Sequence, residues 1–301
     1  MKQWLYARRE SLLLALILVA SAALRLYGVN WDGGHWLHPD ERQIYFVTIE
    51  LAWPDSLAEA LSPNSPLNPQ FFAYGSLPFY LLRAVAFGLG ILFPLLRDSD
   101  YLHLAGRPLV MVFDLGTIYL TYRLARALLP QPSRGEVNTN ALFAATLTGL
   151  AVLHVQLSHF YTVDPLLTFF VTLTLYLAVR VAHGGIGWIN AGLGITFGLA
   201  LATKITAAPL LLPILVAYYQ PDRSSDHIHV SIATRLRDVI LPLILTLMLA
   251  GLTFVLVQPY AVIDWPTFLE HNVLESQIAW GTRDVPYTLQ YEGTVPYLYS
   301  L

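Results

Sequence analysis

Asp40 and Glu41 stand together in His38-Pro39-Asp40-Glu41-Arg42, a few residues past the first long apolar stretch of the chain. A carboxylate beside a membrane is costly to hold near lipid, and it can take a proton, bind a metal or position a cation. Pro39 suits the first turn of a helix, and acids there complement the helix dipole, so a helix N-terminus is the competing explanation for the pair. His38 and the nearby His35 could join Asp40 and Glu41 around a divalent metal. Asp164, in Tyr161-Thr162-Val163-Asp164-Pro165, interrupts two apolar runs. It reads either as a helix cap or as a second carboxylate that shares proton transfer with the first. Lys204 breaks about forty residues of nearly uniform apolar sequence. An ammonium at that depth suits an anionic phosphate at the membrane surface, unless it only reaches for the interface. Arg107 and Arg283 are weaker candidates for the same work.

These residues must be held by elements that cross a bilayer. The chain is 55% hydrophobic and only 12% charged, with a mean hydropathy of +0.54. Soluble domains average about 25% charged residues, and a bilayer-spanning helix needs roughly 20 apolar ones. Composition therefore places this chain in the membrane. A net charge of −3 gives no footing for nucleic acid, and with no cysteine there is neither a disulfide nor a thiolate metal site.

Apolar windows lie near 11–27, 76–96, 105–122, 139–157, 165–182, 188–203, 205–219 and 239–257. Val19-Ala20-Ser21-Ala22-Ala23 resembles a signal cleavage site, but the apolar run continues past it and reads as an uncleaved first span. Basic stretches at 2–9, at Arg123, Arg126 and Arg134, and at Arg223, Arg235 and Arg237 should all face the cytoplasm. An even number of crossings must then separate the first two, so one of the three windows between them does not cross. The 76–96 window holds Pro78, Arg83, Gly88, Gly90 and Pro94, and it is read as an amphipathic helix on the outer surface.

The expected fold is therefore an all-α polytopic membrane protein with about seven spans and a cytoplasmic N-terminus. Residues 28–104 form a long first outer loop bearing surface helices, and 258–301 begin a later one. The first loop carries eight acids against three arginines, so it is acidic as well as long. Asp40, Asp164, Lys204 and Gln258-Pro259-Tyr260 all fall on the outer side. Gly194 and Gly198 read as a helix-packing pair, and Trp265, Trp280 and the late tyrosines as an interfacial belt.

Four passages, in this order, resemble a membrane glycosyltransferase of the GT-C superfamily, within the protein O-mannosyltransferase and aminoarabinose-transferase-like group. They are Leu37-His38-Pro39-Asp40-Glu41-Arg42, Ser158-His159-Phe160-Tyr161-Thr162-Val163-Asp164-Pro165, Gly198-Leu199-Ala200-Leu201-Ala202-Thr203-Lys204 and Gln258-Pro259-Tyr260. The resemblance implies a polyprenyl-phosphate sugar donor, a protein, lipid or glycan acceptor, inverting transfer at the outer face of a plasma or inner membrane, and no obligatory cofactor. It implies that Asp40 acts at the reaction centre with Asp164, that Lys204 approaches the lipid phosphate, and that Glu275 lines the cavity. Some relatives carry a phosphate-contacting lysine in the first outer loop. Here that stretch reads Phe72-Ala73-Tyr74-Gly75-Ser76-Leu77-Pro78, with Tyr74 in the substrate region. Such proteins usually continue past the point where this chain stops, at Tyr299-Ser300-Leu301, so it reads as an N-terminal portion. Two other functions fit the same features: a transporter of lipid-linked sugars, and a non-catalytic membrane scaffold.

Overall fold

The computed structural model describes residues 2–133, 136–185, 187–219 and 236–285. Arg134, Arg223 and Arg235, two histidines of the 220–235 stretch, and the tyrosines beyond residue 285 lie outside them. Helices supply the regular structure, and no strand occurs among the described residues.

The apolar windows become helix α1 (Lys2–Leu26), α5 (Leu102–Leu128), α6 (Thr139–Leu150) with its short continuation α7 (Val152–Leu157), α8 (Val163–Ala182), α9 (Trp188–Thr203), a 3-10 turn (Ile205–Leu210) running into α10 (Leu211–Tyr219), and α11 (Leu241–Val257). Between α1 and α5 lie α2 (Pro39–Glu50), α3 (Leu57–Ala60) and α4 (Leu77–Leu89). Past α11 come α12 (Tyr260–Ile263) and α13 (Trp265–Ala279).

Side-chain contacts fix the direction of each segment. At one end, Arg107 near the start of α5 donates to the Val29 carbonyl just past α1 (2.8 Å), and His159 after α7 meets the Tyr27 carbonyl (2.8 Å). Lys204 after α9 meets Asp164 at the start of α8, 3.7 Å away, and Gln258 after α11 accepts from the Ser76 amide (3.4 Å). At the opposite end, Glu10 of α1 meets Tyr122 and Arg126 of α5. Tyr218 of α10 meets Asn190 at the start of α9 (3.0 Å). The seven window-derived segments therefore alternate in direction, as the basic-loop argument requires.

α4 does not join that alternation. Its N-terminal approach is docked on the end of α9, where the Gly75 amide donates to the Thr203 carbonyl (2.9 Å). After α4, two 3-10 turns (Pro94–Arg97 and Ser99–Tyr101) lead straight into the start of α5 at the same end. It lies across that end, burying Phe79, Leu82 and Ala86 and exposing Phe87 and Leu89. The 139–157 window is likewise not one continuous helix, because Ala151 adopts extended backbone and separates α6 from α7.

Packing among the apolar helices depends on small residues. α9 and α11 approach so closely that a Cβ on Gly194 would lie 2.4 Å from the Thr246 carbonyl oxygen, and one on Gly198 2.5 Å from that of Ala250. This is the small-residue interface expected of membrane helices. Outward-facing side chains such as Leu16, Val112, Phe143, Leu212, Met248 and Leu256 are large and exposed, a belt that water would penalise. Among the described residues, α8 alone is both long and apolar enough to cross a bilayer by itself. Leu77–Leu89, Trp188–Thr203, Ile205–Tyr219 and Leu241–Val257 are apolar but shorter.

Candidate active site

The site lies where the long segment between α1 and α5 meets the start of α8 and the end of α9. The loop is held there by its backbone. A Cβ on Gly75 would sit 1.8 Å from the Ala202 carbonyl oxygen, so only glycine permits this approach to α9. α12 and α13 brace the loop from the other side. Tyr260 donates to the Ala60 carbonyl (2.9 Å) and bonds Ser65 (2.7 Å), Asn68 donates to Asp264 (2.9 Å), and the Phe72 amide donates to His271 Nδ1 (3.0 Å).

This bracing sets Tyr74 among the charged groups. It stands beside the Asp40 carboxylate, whose charge acts on the phenol most strongly, with weaker fields from Asp164 and Glu275. Lys204 Nζ lies 6.0 Å from the centre of its ring. Burial, and then the Asp40 charge beside it, push the Tyr74 phenol far above its ordinary range. It therefore stays protonated and acts as a donor. Asp164 stands in the first turn of α8, behind Thr162 at the N-cap, and pairs with Lys204 at 3.7 Å. Both are partly exposed, the lysine side chain at 31% and the aspartate at 47%, which leaves the ammonium reachable by a further anion. Glu275 is exposed on α13, and Arg283 is exposed past its end.

Arg107, a candidate for the phosphate, and Glu41, a candidate substrate or metal ligand, are instead sealed inside. Arg107 forms a fork on both acids that flank it: Nε and Nη2 reach Glu41 (2.9 and 2.7 Å), and Nη1 and Nη2 reach Asp32 (2.9 and 2.7 Å). Glu41 Oε1 also accepts from the Tyr45 hydroxyl (2.7 Å) and the Tyr161 amide (2.8 Å). All three charged side chains have no exposure. A guanidinium saturated by two carboxylates has nothing left for a phosphate, so this trio is an anchor between the 28–104 segment and α5. Burial alone would raise the Asp32 carboxyl, but the Arg107 bonds and the amides of Gly34 and Leu37 outweigh it and hold that carboxyl well below the usual range.

The metal reading fails on the same ground. Glu41 is fully engaged, the His38 ring packs on Phe160 with centroids 4.3 Å apart, and His35 stays exposed. No group of three metal-ligating side chains occurs among the described residues. His38, Asp40 and Glu41 therefore do not fit a divalent ion.

A second buried network lies deeper in the bundle. Arg25 Nε donates to Asp114 (2.5 Å), Arg25 Nη1 donates to the carbonyls of Ser21 (3.0 Å) and Gly149 (2.9 Å), and His154 Nδ1 meets Asp114 at 2.6 Å. It ties α1, α5, α6 and α7 together. Asp114 carries a signal like that of Lys204, a lone charge inside an apolar window. Arg25 lies 89 positions away, and nothing local announces the pairing.

An alternating bundle with an apolar exterior, and with two carboxylates, a lysine and a tyrosine gathered at one end, defines a helical membrane protein with a polar cluster at one end of its bundle. The family model for dolichyl-phosphate-mannose-protein mannosyltransferases matches residues 99–249, half of the chain, and the chain belongs to that family. It is thus an integral membrane glycosyltransferase of the kind that uses a lipid-linked sugar donor. The matched segment contains Asp164 and Lys204, whereas Asp40, Tyr74 and Glu275 lie outside it. Neither a curated protein nor a solved structure matches the chain.

Proposed function

We propose that the chain transfers a sugar from a polyprenyl-phosphate carrier to a hydroxyl of a protein, lipid or glycan acceptor at the outer face of the membrane. The observation that carries this reading is the meeting of Asp40, Tyr74, Asp164 and Lys204, which come from three segments far apart in sequence. Asp40 removes the proton of the acceptor hydroxyl, and that oxygen attacks the anomeric carbon from the side opposite the carrier. The bond from that carbon to the phosphate oxygen breaks, inverting the centre, and polyprenyl phosphate leaves. Negative charge grows on the departing phosphate, and a fixed ammonium at Lys204 stabilises it most in the transition state. Asp164 holds Lys204 in place and assists Asp40, while Glu275 borders the acceptor side. The alternation of the seven window-derived segments supports a seven-span arrangement with this site on the outer side.

The test is an Asp40→Asn variant in proteoliposomes, supplied with a lipid-linked sugar and an acceptor. Release of polyprenyl phosphate and formation of the glycosidic bond should both fall by at least a hundredfold, the usual contribution of a positioned base. Full activity would remove Asp40 from the mechanism. Movement of the lipid-linked sugar between leaflets without a new glycosidic bond would point to a transporter instead.

A further inference from the structure

At the end of the bundle opposite the reaction site, two arginines from neighbouring helices converge on one phenol. Arg123 of α5 donates from Nη2 to the Tyr176 hydroxyl (2.5 Å) and from Nη1 to the Tyr119 hydroxyl (2.8 Å). Arg180 of α8 donates from Nη1 to the same Tyr176 hydroxyl (3.1 Å). Both guanidiniums also stand over the Tyr176 ring, 5.2 and 5.9 Å from its centre. Two cations that share one hydroxyl oxygen are necessarily neighbours and repel each other.

The other arginine clusters of the bundle are balanced differently. Arg25 faces Asp114, Arg107 faces Asp32 and Glu41, and Arg126 faces Glu10. Among the described residues no carboxylate lies within ion-pair distance of Arg123 or Arg180. Phenol oxygens satisfy a few N–H groups but supply no counter-charge. Several donors on each guanidinium remain unused, and both side chains are only partly buried. Tyr176 itself is buried, so it fixes the fork from within, while Tyr119 is 39% exposed at the rim.

From this we propose that Arg123 and Arg180 form a clamp for the phosphate of an anionic membrane phospholipid, in the leaflet opposite the reaction site. Arginine forks match phosphate oxygens in paired, charge-assisted bonds. Basic pockets between membrane helices are where anionic headgroups settle, and the phenols supply the interfacial rim. The clamp sits near the ends of two apolar helices, α5 and α8, so the ligand's acyl chains would run back along them into the bilayer. The clamp goes beyond the sugar-transfer reading and does not depend on it.

Native mass spectrometry of the full chain, mixed with phosphatidylglycerol or with phosphatidylcholine of the same acyl chains, tests it. Wild type should retain the anionic lipid in preference to the zwitterionic one. Each arginine contributes about fivefold to headgroup attraction, so an Arg123→Gln, Arg180→Gln double variant should lose that preference by roughly tenfold or more. An Arg123→Lys, Arg180→Lys variant keeps both charges and guards against a folding artefact. It should lose the preference severalfold, because the forks are gone. Unchanged preference in either double variant overturns the clamp. So does complete displacement of the lipid by an equal concentration of inorganic phosphate, which would make this a free-phosphate site.

Discussion

Replacing Arg107 by methionine separates its two conceivable roles, anchor and substrate contact. The change keeps a long apolar stem and removes the charge. Five hydrogen bonds disappear with it, to Glu41, Asp32 and the Val29 carbonyl. Two carboxylates with no exposure are then left facing one another. Breaking a buried pair by removing one partner costs about 3–5 kcal/mol. The loss of a counter-ion shared by two acids belongs at the upper end of that range. At about 2.1 cal/mol/K of unfolding entropy per residue, the 301-residue chain shifts by about 1.6 °C per kcal/mol, so the melting temperature should fall by roughly 6–8 °C. Thermal unfolding in detergent, read by fluorescence-detected size exclusion, measures this. Donor binding, read at a temperature where the variant stays folded, should change little. Adding Asp32→Asn and Glu41→Gln should restore part of the loss, because the trio then carries no unpaired charge. A variant that melts with wild type but no longer holds the donor would refute the anchor and return Arg107 to the substrate. The same trio sets an acid limit. Asp32 is held below the usual carboxylate range, so its contribution is complete at neutral pH. That contribution is lost as pH falls from the ordinary carboxylate range toward the lower folded value.

Lys204→Met should weaken donor binding by tenfold or more without changing the melting temperature, since a hydrogen bond to a charged group contributes about 1.5–3 kcal/mol. Equal donor affinity in a titration with the lipid-linked sugar would remove the lysine from the phosphate. Gly75→Val must lift the outer loop off α9, because its first side-chain carbon has nowhere to go. A displacement of about 1 Å at the site should lower kcat/KM about a hundredfold. Gly88→Ala, which meets open space, is the control that should keep full activity. Gly198→Leu should force α9 from α11 and cost about 1–3 kcal/mol in thermal unfolding. Gly251→Leu on the same helix pair meets no neighbour and should not, so equal effects would undo the packing account.

The residues legible from sequence were those whose chemistry contradicts their surroundings. Lys204 in an apolar run and Asp164 between two such runs announce themselves, and the structure pairs them. The orientation of α4 was legible because basic stretches impose parity on the crossings, a constraint that ignores side-chain detail. Pairing among charges was not legible. Asp32, Glu41 and Arg107 lie on different elements, and nothing in their spacing says that they saturate one another. The break at Ala151 has no proline or glycine at the position itself, so periodicity could not locate it. Tyr74 reached the substrate region only through the family resemblance, because its partners come from the ends of α2, α8 and α9 and leave no mark in the local sequence.

The two adjacent acids show why a motif cannot be read as a unit. Consecutive residues of an α-helix point about 100° apart. Pro39 starts α2 where it does, and from that start the helix turns Asp40 toward Tyr74 and Glu41 into the protein. Glu41 is fully buried and meets three donor groups, from Arg107, Tyr45 and Tyr161. Asp40 keeps partial exposure beside the tyrosine that Lys204 also approaches. The buried acid therefore holds the helix against α5, and a helix held there fixes the direction of the exposed acid. Sliding α2 by one residue so that Asp40 took the buried position would set Pro39 beside Tyr74 and leave the site without its base. The Glu41–Arg107 bond thus acts on the reaction only through the position of Asp40.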